Sequence, residues 1–368
     1  MSTQTHDAVV TVALGAPLEI RQVPTPKPKG DEVLVKVLWT ASTPLDLHQN
    51  DGGLLVTHPQ VLGDGIAGTV VEIGPDIKDL KVGDKVFGFT WRSQVEKAHQ
   101  IYCLAPRYLL ALLPPTHTLQ EAVTLPNNFV TVFHSVTADL NLPLPWPKPP
   151  SYVPEHADSP ILIWGGSSSV GQFALQVLRY YGYRNLITTA SKAHHETLKS
   201  YGARETFDYR SPTVVSDILS SVQSVSGRER EPKVPFILDC IGSKNGSLAP
   251  LSKIAEKGTK VAVLLPVIVR DAAEGVLPEY SMDVQGSANW KEGVIVRGVR
   301  THFYLDNPVF KERLQSEIMP TLLAEGVVKP NRYRIIEGNT LLERAQGAMD
   351  ALRRKEASGE RLVWRIAE

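Results

Sequence analysis

The stretch 160–181, PILIWGGSSSVGQFALQVLRYY, limits what this chain can fold into more than any other. Ile161, Leu162, Ile163 and Trp164 form a short unbroken apolar run, the pattern of a strand buried on both faces of a sheet. The turn Gly165-Gly166-Ser167-Ser168-Ser169-Val170-Gly171 follows, and then Phe173, Ala174, Val177, Leu178 and Tyr181 recur at helical spacing. Strand, glycine-bearing turn and helix in that order predict a parallel α/β sheet with a phosphate cradle. Glycine lets backbone approach a pyrophosphate, and the free N–H groups and dipole of a starting helix favour an anion. Gly166, Ser167, Ser168, Ser169 and Val170 are the expected contacts. The spelling is not the strict G-x-G-x-x-G, so an ordinary strand–helix turn stays open on this stretch alone.

Two further parallel strands end in loops, at 235–242 (PFILDCIG) and 258–265 (GTKVAVLL). Open α/β sheets bind ligands beyond the carboxyl ends of their strands, which brings Ile241, Leu264 and Leu265 to the ligand side. With 368 residues, one large or two medium domains are expected. Lys+Arg 39 against Asp+Glu 39 gives no support to a nucleic-acid or anionic-membrane partner. No apolar run reaches membrane-spanning length, and the first residues lack a basic stretch followed by an apolar core, so the cytosol is the expected compartment. Two distant cysteines, Cys103 and Cys240, exclude a disulfide framework and a multi-cysteine zinc site. Cys103, in HQIYCLAPRYLL, reads as a core residue.

The N-terminal third reads as closely spaced strands with glycine corners, a small coiled β-barrel. Within it, 63–74 spells G-x-x-x-A-G-T-V-V-E-x-G and 81–86 spells K-x-G-D-x-V. These motifs, followed by the glycine turn, resemble the medium-chain dehydrogenase/reductase superfamily, and the similarity runs to the closing segment 358–363. The resemblance implies a GroES-like substrate domain over 1–130, completed by 305–368, and a Rossmann doubly wound nucleotide-binding domain over 131–304. Zinc-dependent members carry a cysteine in the first active-site loop and Gly-His-Glu in the second. Here those places hold Ser42-Thr43-Pro44 and Gly63-Asp64-Gly65. Zinc wants three or four converging donors, and Asp64 with His48 falls short, so no metal is expected.

The segment 141–160, NLPLPWPKPPSYVPEHADSP, cannot be helical, because its prolines lack the N–H and clash with a preceding turn. It reads as an extended arm, or else as a ligand for a proline-recognition module; its place before a core strand favours the arm. A similar insertion occurs in fungal trans-acting enoyl reductases, which this chain resembles more closely than it does bacterial quinone reductases.

The second parallel strand, 185–191, ends in Ala190-Ser191-Lys192, where an NAD site would place an acid on the adenosine ribose. No carboxylate stands there to repel a 2′-phosphate, and a lysine is present. Phe207-Asp208-Tyr209-Arg210 matches the family pattern in which a tyrosine closes over that phosphate. NADPH is therefore expected, held by Ser191, Lys192 and Tyr209. His194 and His195 lie on the adenosine side, facing solvent or, for His194, touching the adenine or ribose.

Without a zinc to polarise a carbonyl, the accessible reaction is hydride addition to an activated C=C bond. It needs hydrogen-bond donors at the enolate oxygen and a proton for the α-carbon. In the loop Thr43-Pro44-Leu45-Asp46-Leu47-His48-Gln49-Asn50, His48 stands where the similar fungal reductases carry a lysine, and it can donate a hydrogen bond or a proton. Asp46 fixes that loop beside the cofactor. Thr131 matches the family's threonine at the start of the helix linking the domains, with Asn127 and Asn128 making the adjoining wall more polar. By resemblance, Val363 and Trp364 lie beside the cofactor or form plain core strand. The acceptor is an unsaturated carbonyl compound or a quinone, free or carrier-bound as a polyketide. Monomers and homodimers both occur among such proteins, and crystallin-type members use the fold for nucleotide binding without turnover.

Overall fold

The computed structural model describes residues 4–223, 232–273 and 275–368. They divide into two compact units. The first comprises Met1–Val130, Ala272–Pro278 and Leu305–Glu368; the second comprises Thr131–Asp271 and Glu279–Tyr304. The stretch 272–278, which the sequence placed inside 131–304, thus clusters with the first unit. It joins the strands Val267–Arg270 and Glu279–Ser281, an antiparallel pair with no motif to mark it in advance.

In the first unit, alternating and β-branched residues build a seven-stranded sheet. Its order is Arg332–Ile335, Glu360–Arg365, Glu32–Ser42, Gly65–Ile73, Lys85–Phe89 and Leu110–Leu112, with Tyr102–Pro106 also pairing on Glu32–Ser42. The closing strand Glu360–Arg365 runs antiparallel to Glu32–Ser42, so the C-terminal segment completes a sheet begun some three hundred residues earlier. A second sheet places Thr5–Thr11 between Glu19–Pro24 and Gln60–Val61. Both sheets share one core, in which Val9, Val35, Ile66, Val70, Val86, Cys103 and Trp364 are fully or nearly fully buried. The helix Leu341–Arg353 covers it with Ala345, Ala348 and Met349. Burial pushes the Cys103 thiol well above its ordinary range, and its Sγ donates to the Glu96 carbonyl at 3.1 Å. That is an inert core cysteine.

The segment read as the loop 43–50 is a helix, Pro44–Gly52. Proline suits the first helical position, where its missing N–H costs nothing, and the Asp46 carboxylate accepts from the Thr43 N–H at 2.8 Å. Gly53, at φ 65°, ends the helix in the left-handed conformation.

The second unit holds a six-stranded sheet, parallel throughout. Its order is Glu205–Phe207, Leu186–Thr189, Ile161–Trp164, Phe236–Asp239, Lys260–Leu264 and Ile295–Val299. The chain starts in the middle, moves outward one way and returns to build the other half, which is the doubly wound order. The segment 141–160 carries no helix and packs against this unit. Leu142 and Leu144 are buried, Tyr152 and Tyr183 both donate to the Pro143 carbonyl at 3.1 Å, and Lys148 lies 4.6 Å from the Tyr180 ring centroid. Thr131 lies within the helix Pro126–His134, not at its start. Pro126 takes the first turn, which proline tolerates, and moves the helix start ahead of Thr131. Among the described residues, no helix is long and apolar enough to cross a membrane.

Candidate functional site

The residues singled out by sequence fall into two constellations, one in each unit. In the second unit, Ile161–Trp164 delivers the chain to the glycine turn and Ser169–Tyr181 carries it away. Gly165 has φ 84°, and a β-carbon there would stand 2.6 Å from Ile241. Gly166 has no room either, because its β-carbon would meet the Thr188 hydroxyl at 2.0 Å. Ser168 caps the new helix by accepting from the Gly171 N–H at 3.0 Å. The Val170 N–H lies in the first turn of this helix, where N–H groups lack a partner within the helix. A turn with no room for side chains at Gly165 and Gly166 and a helix of 13 residues starting just beyond it fit a pyrophosphate group.

The strand Leu186–Thr189 ends beside Glu205–Phe207, tied by the Ala190 N–H donating to the Phe207 carbonyl at 2.9 Å. This brings Ser191, Lys192, His194 and Tyr209 to the ends of neighbouring strands. Lys192 is exposed, and Tyr209 is 43% exposed. The Arg210 guanidinium lies 5.1 Å from the Tyr209 ring centroid, a second cation on this rim. Its signal was present in Tyr209-Arg210 but was read for the tyrosine alone. His195 faces inward in part, donating through Nε2 to the Ala190 carbonyl at 3.0 Å.

Asp239 closes the strand Phe236–Asp239 and organises the loop beyond it. Its carboxylate accepts from the Ile241 N–H at 2.9 Å, the Gly242 N–H at 3.2 Å and the Ser247 hydroxyl at 2.6 Å. Burial nevertheless pushes its pKa up to about 6. The loop presents Ile241, 41% exposed, beside the glycine turn, while Leu264 and Leu265 stay half-buried at the end of the next strand. Thr131 is buried, and its hydroxyl shares a hydrogen bond of 2.9 Å with that of Thr301. Thr301 carried no sequence signal.

In the first unit, the helix Pro44–Gly52 carries Asp46 and His48. His48 is half-buried, while Asp46 is buried. Burial pushes the Asp46 carboxyl up to about 7; the Thr43 N–H opposes this, Asp64 adds to it, and Lys97 and Arg361 oppose it. Lys97 Nζ and Asp64 Oδ1 form a buried ion pair at 2.6 Å. Beside Lys97 lies His99, held neutral with its pKa driven down to about 3 by burial and by the Lys97 charge. Arg361 is buried too, donating to the Ala41 carbonyl at 3.1 Å, and burial lowers its pKa to about 10. Trp364 donates to the Ser42 hydroxyl at 2.9 Å and meets the His99 ring edge-on at 4.6 Å. Val363 and Trp364 have no exposed surface and form part of the core. Among the described residues, no three His, Cys, Asp or Glu side chains converge as metal ligands. Asn127 and Asn128 lie half-buried in the first turn of the helix Pro126–His134, where the Asn128 N–H donates to the Asn127 side chain at 3.0 Å.

Comparison with known proteins gives a consistent picture. The alcohol dehydrogenase GroES-like domain family matches residues 29–135. The chain is 29% identical over 346 residues to the trans-enoyl reductase himH of Aspergillus japonicus, covering 91% of this chain and 90% of the relative. It is 33% identical over 231 residues to the trans-enoyl reductase tazE of Aspergillus terreus, covering 60% of this chain and 74% of the relative. Among solved structures, the quinone oxidoreductase of Coxiella burnetii superposes with a TM-score of 0.70 at 20% identity, over 99% of this chain and 100% of that one.

Proposed function

This chain belongs to the trans-enoyl reductase branch of the medium-chain dehydrogenase/reductase superfamily, and from that premise we propose an NADPH-dependent, zinc-independent reductase of α,β-unsaturated carbonyl compounds. NADPH, when bound, supplies the hydride that adds to the β-carbon of the acceptor. The observation that carries the reading is the rim of the nucleotide unit. There the second strand ends without a carboxylate, Lys192 is exposed just beyond it, and exposed Arg210 lies against Tyr209. An adenosine 2′-phosphate would find cations on these segments and no acid at the end of the second strand, while the Asp208 carboxylate beside Tyr209 accepts from the Arg210 N–H at 3.0 Å.

On this reading the backbone of Gly166, Ser167, Ser168, Ser169 and Val170 holds the pyrophosphate. Ser191, Lys192, His194 and Tyr209 hold the adenosine end, and Ile241, Leu264 and Leu265 border the nicotinamide. His48 donates a hydrogen bond to the developing enolate oxygen or a proton to the α-carbon. Thr131, its hydroxyl oriented by Thr301, is the second donor. Asp46 keeps the start of the His48 helix in place, while Val363 and Trp364 act as buried support. The acceptor is an unsaturated acyl chain, free or carried as a polyketide intermediate, and the compartment is the cytosol.

The test is NADPH oxidation by the purified protein, followed by nicotinamide absorbance, with enones and unsaturated thioesters, quinones and aldehydes offered in parallel. Turnover of the unsaturated carbonyls alone supports the reading. Turnover of quinones alone makes the protein a quinone reductase, and aldehyde turnover abolished by chelators restores a zinc alcohol dehydrogenase. No turnover with any acceptor leaves a nucleotide-binding protein.

A further inference from the structure

A surface helix is ordinarily held to its protein by an apolar stripe. The helix Pro44–Gly52 is held differently. Its buried residues are Asp46, Gln49, Asn50 and Asp51, and Leu47 packs against the core only in part. Apolar burial is non-directional, whereas a hydrogen bond fixes an angle as well as a distance. Asp51 stands in the last turn, where a carboxylate is unfavourable beside the negative end of the helix dipole. Its side chain is also only 6% exposed. Both costs call for a compensating partner.

That partner is Arg353, 302 residues further on, at the end of the helix Leu341–Arg353. Its Nε donates to Asp51 Oδ2 at 2.7 Å and its Nη2 to Asp51 Oδ1 at 2.7 Å, the two-point fork of a guanidinium on a carboxylate. The fork is itself held. Arg353 Nη1 donates to Asp350 Oδ1 at 2.6 Å, and Gln346 Nε2 donates to the same oxygen at 2.9 Å. Asn50 Nδ2 donates to Asp51 Oδ1 at 2.9 Å. The Asn50 side-chain oxygen accepts from the Thr11 hydroxyl at 2.8 Å, and its main-chain carbonyl accepts from the Gly15 N–H at 2.8 Å. At the other end, the Thr43 N–H donates to the Asp46 carboxylate at 2.8 Å. His48 lies between these two anchors. It precedes Asp51 by three positions, which makes the two residues neighbours on one helix face.

From this geometry we infer that Arg353 is a positioning residue of the reductase site: its fork on Asp51 fixes the rotation of the helix Pro44–Gly52 about its own axis and thereby the direction of His48. The inference rests on the role proposed above for His48. A point charge would supply attraction without an angle, whereas the planar fork supplies both, so lysine is not an equivalent residue here. Without the fork, the last turn keeps its ties through Asn50 to Thr11, Gly15 and Ala16. The helix is therefore expected to persist while its setting relaxes.

The test compares Arg353→Lys, Asp51→Asn and the double variant in the full chain. Arg354→Lys is the control, since exposed Arg354 bonds Glu356 instead. Arg353→Lys keeps the charge and loses the fork; Asp51→Asn keeps the side-chain shape and loses the charge that the fork grips. In each, kcat for enone reduction should fall about tenfold or more with the KM for NADPH unchanged, at a temperature where the variants are folded. Both substitutions break the same fork, so the double variant should lose no more than the larger single loss. In the cofactor-free protein, the His48 ring resonances should move in Arg353→Lys and stay parental in Arg354→Lys. Parental His48 resonances in Arg353→Lys, parental kcat in Asp51→Asn, or single losses that multiply in the double variant would make the fork a structural contact and overturn the inference. If the parent chain reduces no enone, the proposed reaction fails, and the His48 resonances, which need no substrate, still decide this point.

Discussion

Gly166 and Thr188 lie so close that a β-carbon on the glycine would stand 2.0 Å from the threonine hydroxyl oxygen. That hydroxyl donates to the Ile163 carbonyl at 2.7 Å and is buried, so it cannot swing aside without stranding a polar group. Gly166→Ala should therefore push the turn away from its strand. Overpacking of this kind typically costs about 1–3 kcal/mol. The expected result is a lower Tm together with NADPH affinity reduced about tenfold or more, read by thermal unfolding and by titration of bound nucleotide. Unchanged affinity would separate this turn from cofactor binding.

At the adenosine rim the account turns on charge. Lys192→Ala should raise the KM for NADPH by about tenfold and leave weak NADH use alone, because only the phosphorylated cofactor meets that cation. Arg210→Ala should act in the same sense, with a smaller effect, since Arg210 also lies against the Tyr209 ring. Equal losses with both cofactors would contradict the phosphate assignment.

His48→Ala should lower kcat by about a hundredfold with little change in the KM for NADPH, the range usual for one positioned acid or hydrogen-bond donor. Thr131→Val should lower kcat as well, because it breaks the hydroxyl pair with Thr301. Steady-state kinetics with an enone check both. Unaltered kcat in His48→Ala would remove that residue from the chemistry.

The pH dependence of stability has a definite sign. The Asp46 and Asp239 carboxyls are pushed up to about 7 and about 6 by burial, so the native chain binds more protons than the unfolded chain over roughly pH 4–7. Their contribution makes stability fall as pH rises through that window. Asp46→Asn, which can still accept the Thr43 cap bond, should flatten the slope by removing one of the two groups. Denaturant unfolding at several pH values reads this directly, and a slope unchanged in the variant would contradict the buried, proton-holding state of Asp46.

The sequence made the frame legible where the signal was local. An apolar run, a glycine turn and a helical stripe within twenty-odd residues identified the strand Ile161–Trp164 and the helix Ser169–Tyr181, because each element's burial is written in its own period. The start of the helix Pro44–Gly52 is written in Thr43-Pro44-Leu45-Asp46, with proline in the first turn and an acid at the third helical position, although the segment reads as loop when its apolar spacing alone is followed. The buried polar pairs of the two units were not legible. Lys97 and Asp64 stand 33 residues apart and Thr131 and Thr301 stand 170 apart, and no periodicity announces a pair that meets only through the fold. Lys97 and His99 sit in the stretch 89–99, which shows no motif, and both are buried.

The most direct measurement follows the hydride itself. NADPH carrying deuterium at the transferable position of C4 is incubated with the protein and an α,β-unsaturated thioester, and the product is analysed by mass spectrometry and NMR. The account predicts one deuterium on the β-carbon and a solvent-derived proton on the α-carbon. Deuterium on the carbonyl carbon, or an unlabelled product, would contradict it.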